Sequence, residues 1–303
     1  MDLRVLKFEQ YMIRQAFKQG MIGDFIKYRY VITPHILKLN KSLEKPVNNH
    51  DLSIHVLTCH NDLLMCLWSL ASMYQAFTQI GKLYIHDDGS LTNKDKKIFN
   101  KFFPGGKIIP IELVRNKFLY KLDKYPEIKK FYIKHVDEYV FLKKLIDAHI
   151  VSDKKFQINL DCDLIWFKEP QKIQGELNSD KPQSLMMYGE SGGCYVYFEE
   201  GERLEHDLSK YNAGIEFYAR ENFSLSRLNE YLAKLDITKK ESVYFIEQAG
   251  HAYCLDNLEK LDEKRYMLKG RVDGEVIMKH YPGPRRHQLY VEGLKVISQN
   301  ILK

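Results

Sequence analysis

The chain contains no run of about 18 uninterrupted apolar residues, so no membrane-spanning helix is expected. Its start, MDLRVLKFEQYMIRQAF, has neither the apolar core nor the small-residue cleavage site of a secretory leader, and a cytoplasmic location is expected. Cysteine is scarce and unpaired in pattern. Cys59, Cys66, Cys162, Cys194 and Cys254 are an odd number with no Cys-x-x-Cys spacing, which disfavours both a disulfide framework and structural zinc. There is no Gly-x-x-x-x-Gly-Lys-Ser/Thr, so a P-loop ATPase is not expected, and no Gly-x-Ser-x-Gly nucleophile elbow. Zinc-finger and RNP patterns and a dense basic stripe are missing too, and nucleic acid is not expected as a partner.

What is present is ordinary in bulk. The 303 residues are 45% hydrophobic and 28% charged, enough for one large domain with a substantial core. The net charge of +6 is concentrated at one end: residues 1–45 hold nine Lys/Arg against four acids, or +5. That segment reads as short helices, with Leu3, Leu6, Tyr11, Ile13 and Phe17 at helical spacing and Gly20, Gly23 and Pro34 as breaks. A linker follows at Lys45-Pro46. The division expected is a helical accessory segment, 1–48, and a catalytic domain, 49–303. The basic leader suits peripheral attachment to an anionic membrane face or to an acidic partner.

Beyond the linker, β-rich runs alternate with helical ones. Strands are expected at Ser53–Thr58, Lys82–His86, Lys107–Ile111 and Phe156–Leu160, with helices near 62–77 and over 125–151. Later strands are expected at Ser184–Tyr188, Cys194–Phe198 and Gly214–Tyr218, a helix at 225–235, then a polar C-terminal segment. The alternation predicts an α/β fold with a mostly parallel sheet flanked by helices. Ligands in such sheets sit beyond the strands' carboxyl ends. Here those ends carry Thr58-Cys-His-Asn61-Asp62, Asp87-Asp88-Gly89-Ser90 and Asp161-Cys162-Asp163.

The last of these is the sharpest signal. Residues i and i+2 of a strand face the same way, so Asp161 and Asp163 are expected to aim at one point. Two carboxylates so close need a cation between them, and hard oxygen ligands suit Mn2+ or Mg2+. A second cluster, His280-Tyr-Pro-Gly283-Pro-Arg285-Arg286, suits a loop folded over a phosphate. Asn212-Ala-Gly214 reads as a turn before a strand, and Glu247-Gln248 as the polar end of an apolar run.

Taken in order, Asp161-x-Asp163, Asn212-x-Gly214, Glu247-Gln248 and His280-x-x-Gly283-x-x-Arg286 resemble the GT-A fold nucleotide-sugar glycosyltransferases, family 8 most closely, over about residues 51–290. The resemblance implies a transferase moving a sugar from a nucleotide-sugar, UDP-linked by analogy, to a glycan or lipid-linked hydroxyl, as in cell-surface polysaccharide synthesis. It implies Asp161, Asp163 and His280 as ligands of Mn2+ or Mg2+. Donor contacts are implied for Thr58, Asn61, Asp62, Asp87, Asp88, Lys144, Gly283 and Arg286. Glu247, Gln248 and Asn212 are implied at the reacting sugar. The family's Lys-Pro-Trp ending is replaced here by Arg286-His287-Gln288, and its Asp-Gln by Glu247-Gln248. Asp87-Asp88-Gly89-Ser90 resembles inverting family 2 enzymes, so retention and inversion both stay open. Two other classes share parts of the pattern: a non-catalytic binder of nucleotide-sugars, and a haloacid-dehalogenase-like phosphatase with Asp-x-Asp after a strand.

Overall fold

The computed structural model describes residues 3–189, 196–199, 201–204 and 208–303. Its centre is a seven-stranded sheet in the order β3-β2-β1-β4-β7-β6-β8. The strands are β1 (Leu52–Thr58), β2 (Lys82–Asp87), β3 (Lys107–Ile109), β4 (Phe156–Leu160), β6 (Ser184–Tyr188), β7 (Tyr211–Ala219) and β8 (Leu258–Lys260). β1 pairs in parallel with β2 and β4, and β2 with β3, while β7 runs against both β4 and β6. The expected mostly parallel sheet flanked by helices is therefore present. A second, three-stranded sheet joins β5 (Leu164–Trp166), β10 (Met278–His280) and β9 (Tyr266–Met267).

The two faces of the large sheet differ in chemistry. Every residue of β4 is buried, yet Phe156, Ile158 and Leu160 alternate with Gln157 and Asn159. The first set joins an apolar core with helix Leu63–Ala76 and the N-terminal and C-terminal helices. The second set meets polar residues on the other face, where Tyr218 Oη donates to Gln157 Oε1 at 2.9 Å and Asn159 Nδ2 donates to Tyr218 Oη at 3.2 Å. Helices Pro126–His135, Leu225–Lys234 and Lys240–Cys254 build the second core on that side.

Several local expectations are corrected. The long helix over 125–151 is three pieces: Pro126–His135, a π-helical turn Lys143–Asp147 and Ala148–Val151. Between the first two the chain turns, so that the adjacent, fully buried Lys143 and Lys144 reach different partners, the Asp87 carbonyl and the Asp161 carboxylate. Asn212-x-Gly214 lies inside β7 rather than before it, and Glu247-Gln248 lies in helix Lys240–Cys254 rather than at a strand end. Cys194 lies outside the described residues; Tyr197 and Phe198 form only isolated bridges, to Arg203 and Leu235. The C-terminal segment is not simply polar: it supplies β8–β10 and a helical end that buries Leu289, Tyr290, Leu294 and Ile301. Residues 3–38 are helical, contribute no strand, and bury Met12, Ala16, Phe25 and Ile36 in the first core.

Candidate metal and nucleotide site

Asp161 follows β4, and its amide donates to the Gly214 carbonyl of β7 at 3.0 Å. Cys162 and Asp163 form the turn into β5. The two carboxylates thus sit on a turn between strands, not on one strand face as the spacing suggests. β5 is antiparallel to β10 with His280 opposite Leu164, and the Tyr281 amide donates to the Asp163 carbonyl at 3.0 Å. This pairing carries His280 to the Asp-x-Asp turn across the intervening chain. His280 Nε2 lies 3.3 Å from Asp161 Oδ2 and 3.0 Å from Asp163 Oδ1.

The imidazole is held from behind. His280 Nδ1 donates to Asn212 Oδ1 at 2.9 Å, and the same oxygen accepts the Gly214 amide at 2.9 Å. That bond fixes the tautomer and leaves Nε2 facing the acids, the arrangement by which an outer carbonyl orients a metal-binding histidine. Burial works against charge on His280, but Asp163 and then Asp161 outweigh it and raise its pKa to about 9. The shared point is built for positive charge. Two carboxylate oxygens and one imidazole nitrogen, all within 4.8 Å of one another, fit Mn2+ or Mg2+.

Gly214 is required by this packing. A Cβ there would stand 2.5 Å from His280 Nδ1 and 3.0 Å from Asn212 Oδ1. Gly214→Ala is expected to displace the ring and weaken Mn2+ binding by about ten- to a hundred-fold, the usual effect of disturbing an outer-shell contact. Titration of free Mn2+ by electron paramagnetic resonance checks this; an unchanged affinity contradicts it.

Two adjoining cavities flank the point. The first, about 340 Å³, is lined by Thr58, Asp62, Asp88, Asp161, Asp163 and Arg286 among others. The second, about 400 Å³, is lined by Asn212, Glu247, Gln248, Lys269 and Arg285 among others. Phe141, Asp161, Tyr244, His280, Pro282 and Gly283 belong to both. Arg286 Nε donates to Asp163 Oδ2 at 3.2 Å, and its Nη1 to Asp62 Oδ1 at 3.0 Å. Burial lowers the guanidinium's pKa, but Asp163 and Asp62 more than offset that and raise it. Gly283 has φ of +34°, a left-handed value that favours glycine at this bend.

Three residues expected to contact the donor are placed otherwise. Asn61 is exposed and lines neither cavity. The buried Asp87 carboxylate accepts the amides of Gly89 and Leu91 and pairs with Lys96 at 3.0 Å, so it shapes its own loop while Asp88 faces the cavity. Lys144 is fully buried behind the site. Its Nζ donates to Asp161 Oδ1 at 2.9 Å and to the Ala213 carbonyl, and lies 2.9 Å from Glu247 Oε1 and 3.8 Å from Glu216 Oε1. Burial lowers its pKa, but Asp161, Glu216 and Glu247 outweigh it and raise it well above the usual value.

Sequence reading missed Glu216 and His251. Glu216, His251 and Glu247 form a second acid–histidine cluster, but the Lys144 ammonium already supplies its cation. His251 Nδ1 donates to the Glu247 carbonyl at 3.1 Å, one helical turn back, and burial followed by Lys144 lowers its pKa to about 3. A period-two reading from Asn212 and Gly214 would have reached Glu216, and a turn of helix from Glu247 would have reached His251.

No family model and no curated protein sequence matches the chain. Among solved structures it is similar to mouse xyloside xylosyltransferase 1 in its apo form, 12% identical over 78% of this chain and 98% of that one, with a TM-score of 0.47. It is similar to the galactosyltransferase LgtC in complex with donor and acceptor sugar analogs, 11% identical over 77% and 87%, with a TM-score of 0.44. It is also similar to the apo glycosyltransferase GlyE of Streptococcus pneumoniae TIGR4, 10% identical over 82% and 61%, with a TM-score of 0.48.

Proposed function

We propose that this chain is a divalent-metal-dependent glycosyltransferase of the GT-A type, with residues 1–48 as an accessory helical segment. It moves a sugar from a nucleoside diphosphate sugar, UDP-linked as the sequence resemblance implies, to a hydroxyl of a glycan or lipid-linked acceptor. The observation that carries this reading is the convergence of Asp161, Asp163 and His280 beside Arg286, on the wall shared by two cavities. Four carboxylates, Asp62, Asp88, Asp161 and Asp163, line the first cavity against Arg286 and His280. A diphosphate enters such a pocket only with added positive charge. A bound Mn2+ or Mg2+ supplies that charge and neutralises the departing diphosphate.

The chain's own residues do the rest. Arg286 binds the phosphates and donates to the leaving oxygens as charge grows on them. Gln248 lies next to Asn212, whose Nδ2 donates to Gln248 Oε1 at 3.4 Å, and both amides line the second cavity, which this reading assigns to the sugar. Glu247 turns its Oε1 inward to Lys144 and borders the same cavity, where its negative charge favours an oxocarbenium-like sugar.

Incubation with Mn2+ and UDP-glucose, UDP-galactose or UDP-N-acetylglucosamine, followed by assay of UDP release, tests the proposal. Turnover that needs Mn2+ supports it. Absence of UDP affinity with Mn2+ present overturns it, and binding without release would mean a binding protein. Arg286→Ala is expected to weaken UDP binding by about ten-fold or more, about 1.4 kcal/mol. Its melting temperature is expected to fall somewhat, because Asp62 and the buried Asp163 lose a cationic partner, so affinities are compared where both proteins are folded. Calorimetric titration with UDP and Mn2+ reads the difference.

A further inference from the structure

The N-terminal helix Leu3–Lys18 turns Met12 and Ala16 into the core and leaves its opposite side uncovered. On that side Leu3 is 67% exposed, Ile13 37% and Phe17 71%. Positions 3, 13 and 17, with the exposed Gln10 between them, fall on one stripe of an α-helix. Lys7, Arg14 and Lys18 are also exposed and border the stripe on one side. The following turns add Ile26, Tyr30 and Val31, each about half exposed, with Lys27 beside them.

Among the described residues of these helices, the acids are already used. Glu9 accepts from Arg29 Nη2 at 3.1 Å and from Tyr30 Oη at 2.7 Å, and Asp24 pairs with Lys295 at 2.8 Å. The outer face therefore combines large apolar side chains with lysine and arginine and, among the described residues, offers no uncompensated carboxylate. That is the chemistry of a helix lying in the plane of an anionic bilayer. A symmetric contact with a second copy would set this basic border against itself. No helix among the described residues is long and apolar enough to cross a membrane, so the helix lies on the surface.

We propose that the outer face of helix Leu3–Lys18, through Leu3, Ile13 and Phe17 with Lys7, Arg14 and Lys18, docks the protein on an anionic lipid surface. The helix is fastened to the site. The Arg286 guanidinium lies 5.9 Å from the centre of the Phe8 ring, and Gln19 Oε1 accepts from His287 Nε2 at 3.2 Å. Phe8 projects on the side of the helix away from Leu3 and Phe17, so the helix stands between the lipid surface and Arg286, and the docking rests on the outer face alone.

The test is sedimentation of the full chain with vesicles of phosphatidylcholine alone or with about 30% phosphatidylglycerol. Binding is expected to the anionic vesicles at about 50 mM salt and to fall about ten-fold or more at about 0.5 M, where charges are screened within a few ångströms. Leu3→Glu with Phe17→Glu is expected to lower binding by about ten-fold or more, with UDP affinity and melting temperature unchanged. No binding of the wild type at low salt, or equal binding by the double variant, overturns the proposal. So does a solution dimer that the double variant converts to monomer, since the face then belongs to a second copy. UDP affinity, read in parallel, reports on the transferase reading separately.

Discussion

Asp163→Asn should lower sugar transfer by about two orders of magnitude or more, equivalent to about 2.7 kcal/mol of transition-state stabilisation. The substitution keeps the size of the side chain and one oxygen. It removes the charge that faces His280 Nε2 at 3.0 Å and Arg286 Nε at 3.2 Å. Without it the cation site retains one carboxylate, and the first cavity loses the group that aligns Arg286. Excess EDTA should have the same effect on the wild type. Added Mn2+ should restore the wild type fully and the variant only slightly. UDP-sugar turnover that continues undiminished in EDTA would contradict the metal-dependent mechanism. The same geometry weighs against a phosphatase in which Asp161 attacks phosphorus. That carboxylate is engaged by Lys144 at 2.9 Å and by His280 at 3.3 Å, and although burial raises its pKa, Lys144 and His280 hold it well below the usual range. A carboxylate so stabilised is a poor nucleophile and a good cation ligand.

The parts of this architecture that could be read from sequence are those with a local signature. Strands β1, β2 and β4 are runs of β-branched and apolar residues between turn signals, and their polar ends advertise the ligand side of the sheet. The motifs around Asp161, Asn212, Glu247 and His280 could be picked out as residue types. Their settings could not. Asn212 looks like a turn residue because asparagine and a nearby glycine are both common in turns. Here its side chain binds the Gly214 amide and the His280 ring, needs set by a strand far away in sequence. Glu247-Gln248 looks like a strand end because the neighbouring apolar run is too short to show a period, and helix Lys240–Cys254 is fixed by packing on β7. The β5–β10 pairing joins residues more than a hundred positions apart, and nothing in either segment names its partner. Lys144 is the sharpest case. A basic residue before Asp-x-Asp suggests a phosphate contact, whereas its burial among three carboxylates follows from the turn at 136–142, which the helical stripe concealed.

That lysine supports the second large expected effect. Lys144→Met should destabilise the fold by about 3–5 kcal/mol, the usual result of removing one partner from a buried charge cluster. The methionine fills a similar volume, so the loss is electrostatic: Asp161, Glu216 and Glu247 face one another with no cation between them. The deficit should depend on pH. Burial raises the pKa of Glu216 and of Glu247 although Lys144 pulls both down, and without Lys144 they rise further. A carboxyl whose folded pKa exceeds its unfolded value binds more protons when folded. Its contribution to stability is therefore greatest at low pH and falls as pH rises through the folded pKa. The gap between variant and wild type should widen between about pH 5 and pH 8. Adding Glu216→Gln to Lys144→Met should recover part of the loss, since an amide of similar size carries no charge to bury among Asp161 and Glu247. Urea unfolding at the two pH values measures all of this. A gap below about 1 kcal/mol, the range of an exposed ion pair, would show that Lys144 is not the keystone of the cluster. A large gap that stays flat with pH would show that lost packing, not unpaired carboxylates, is the cause.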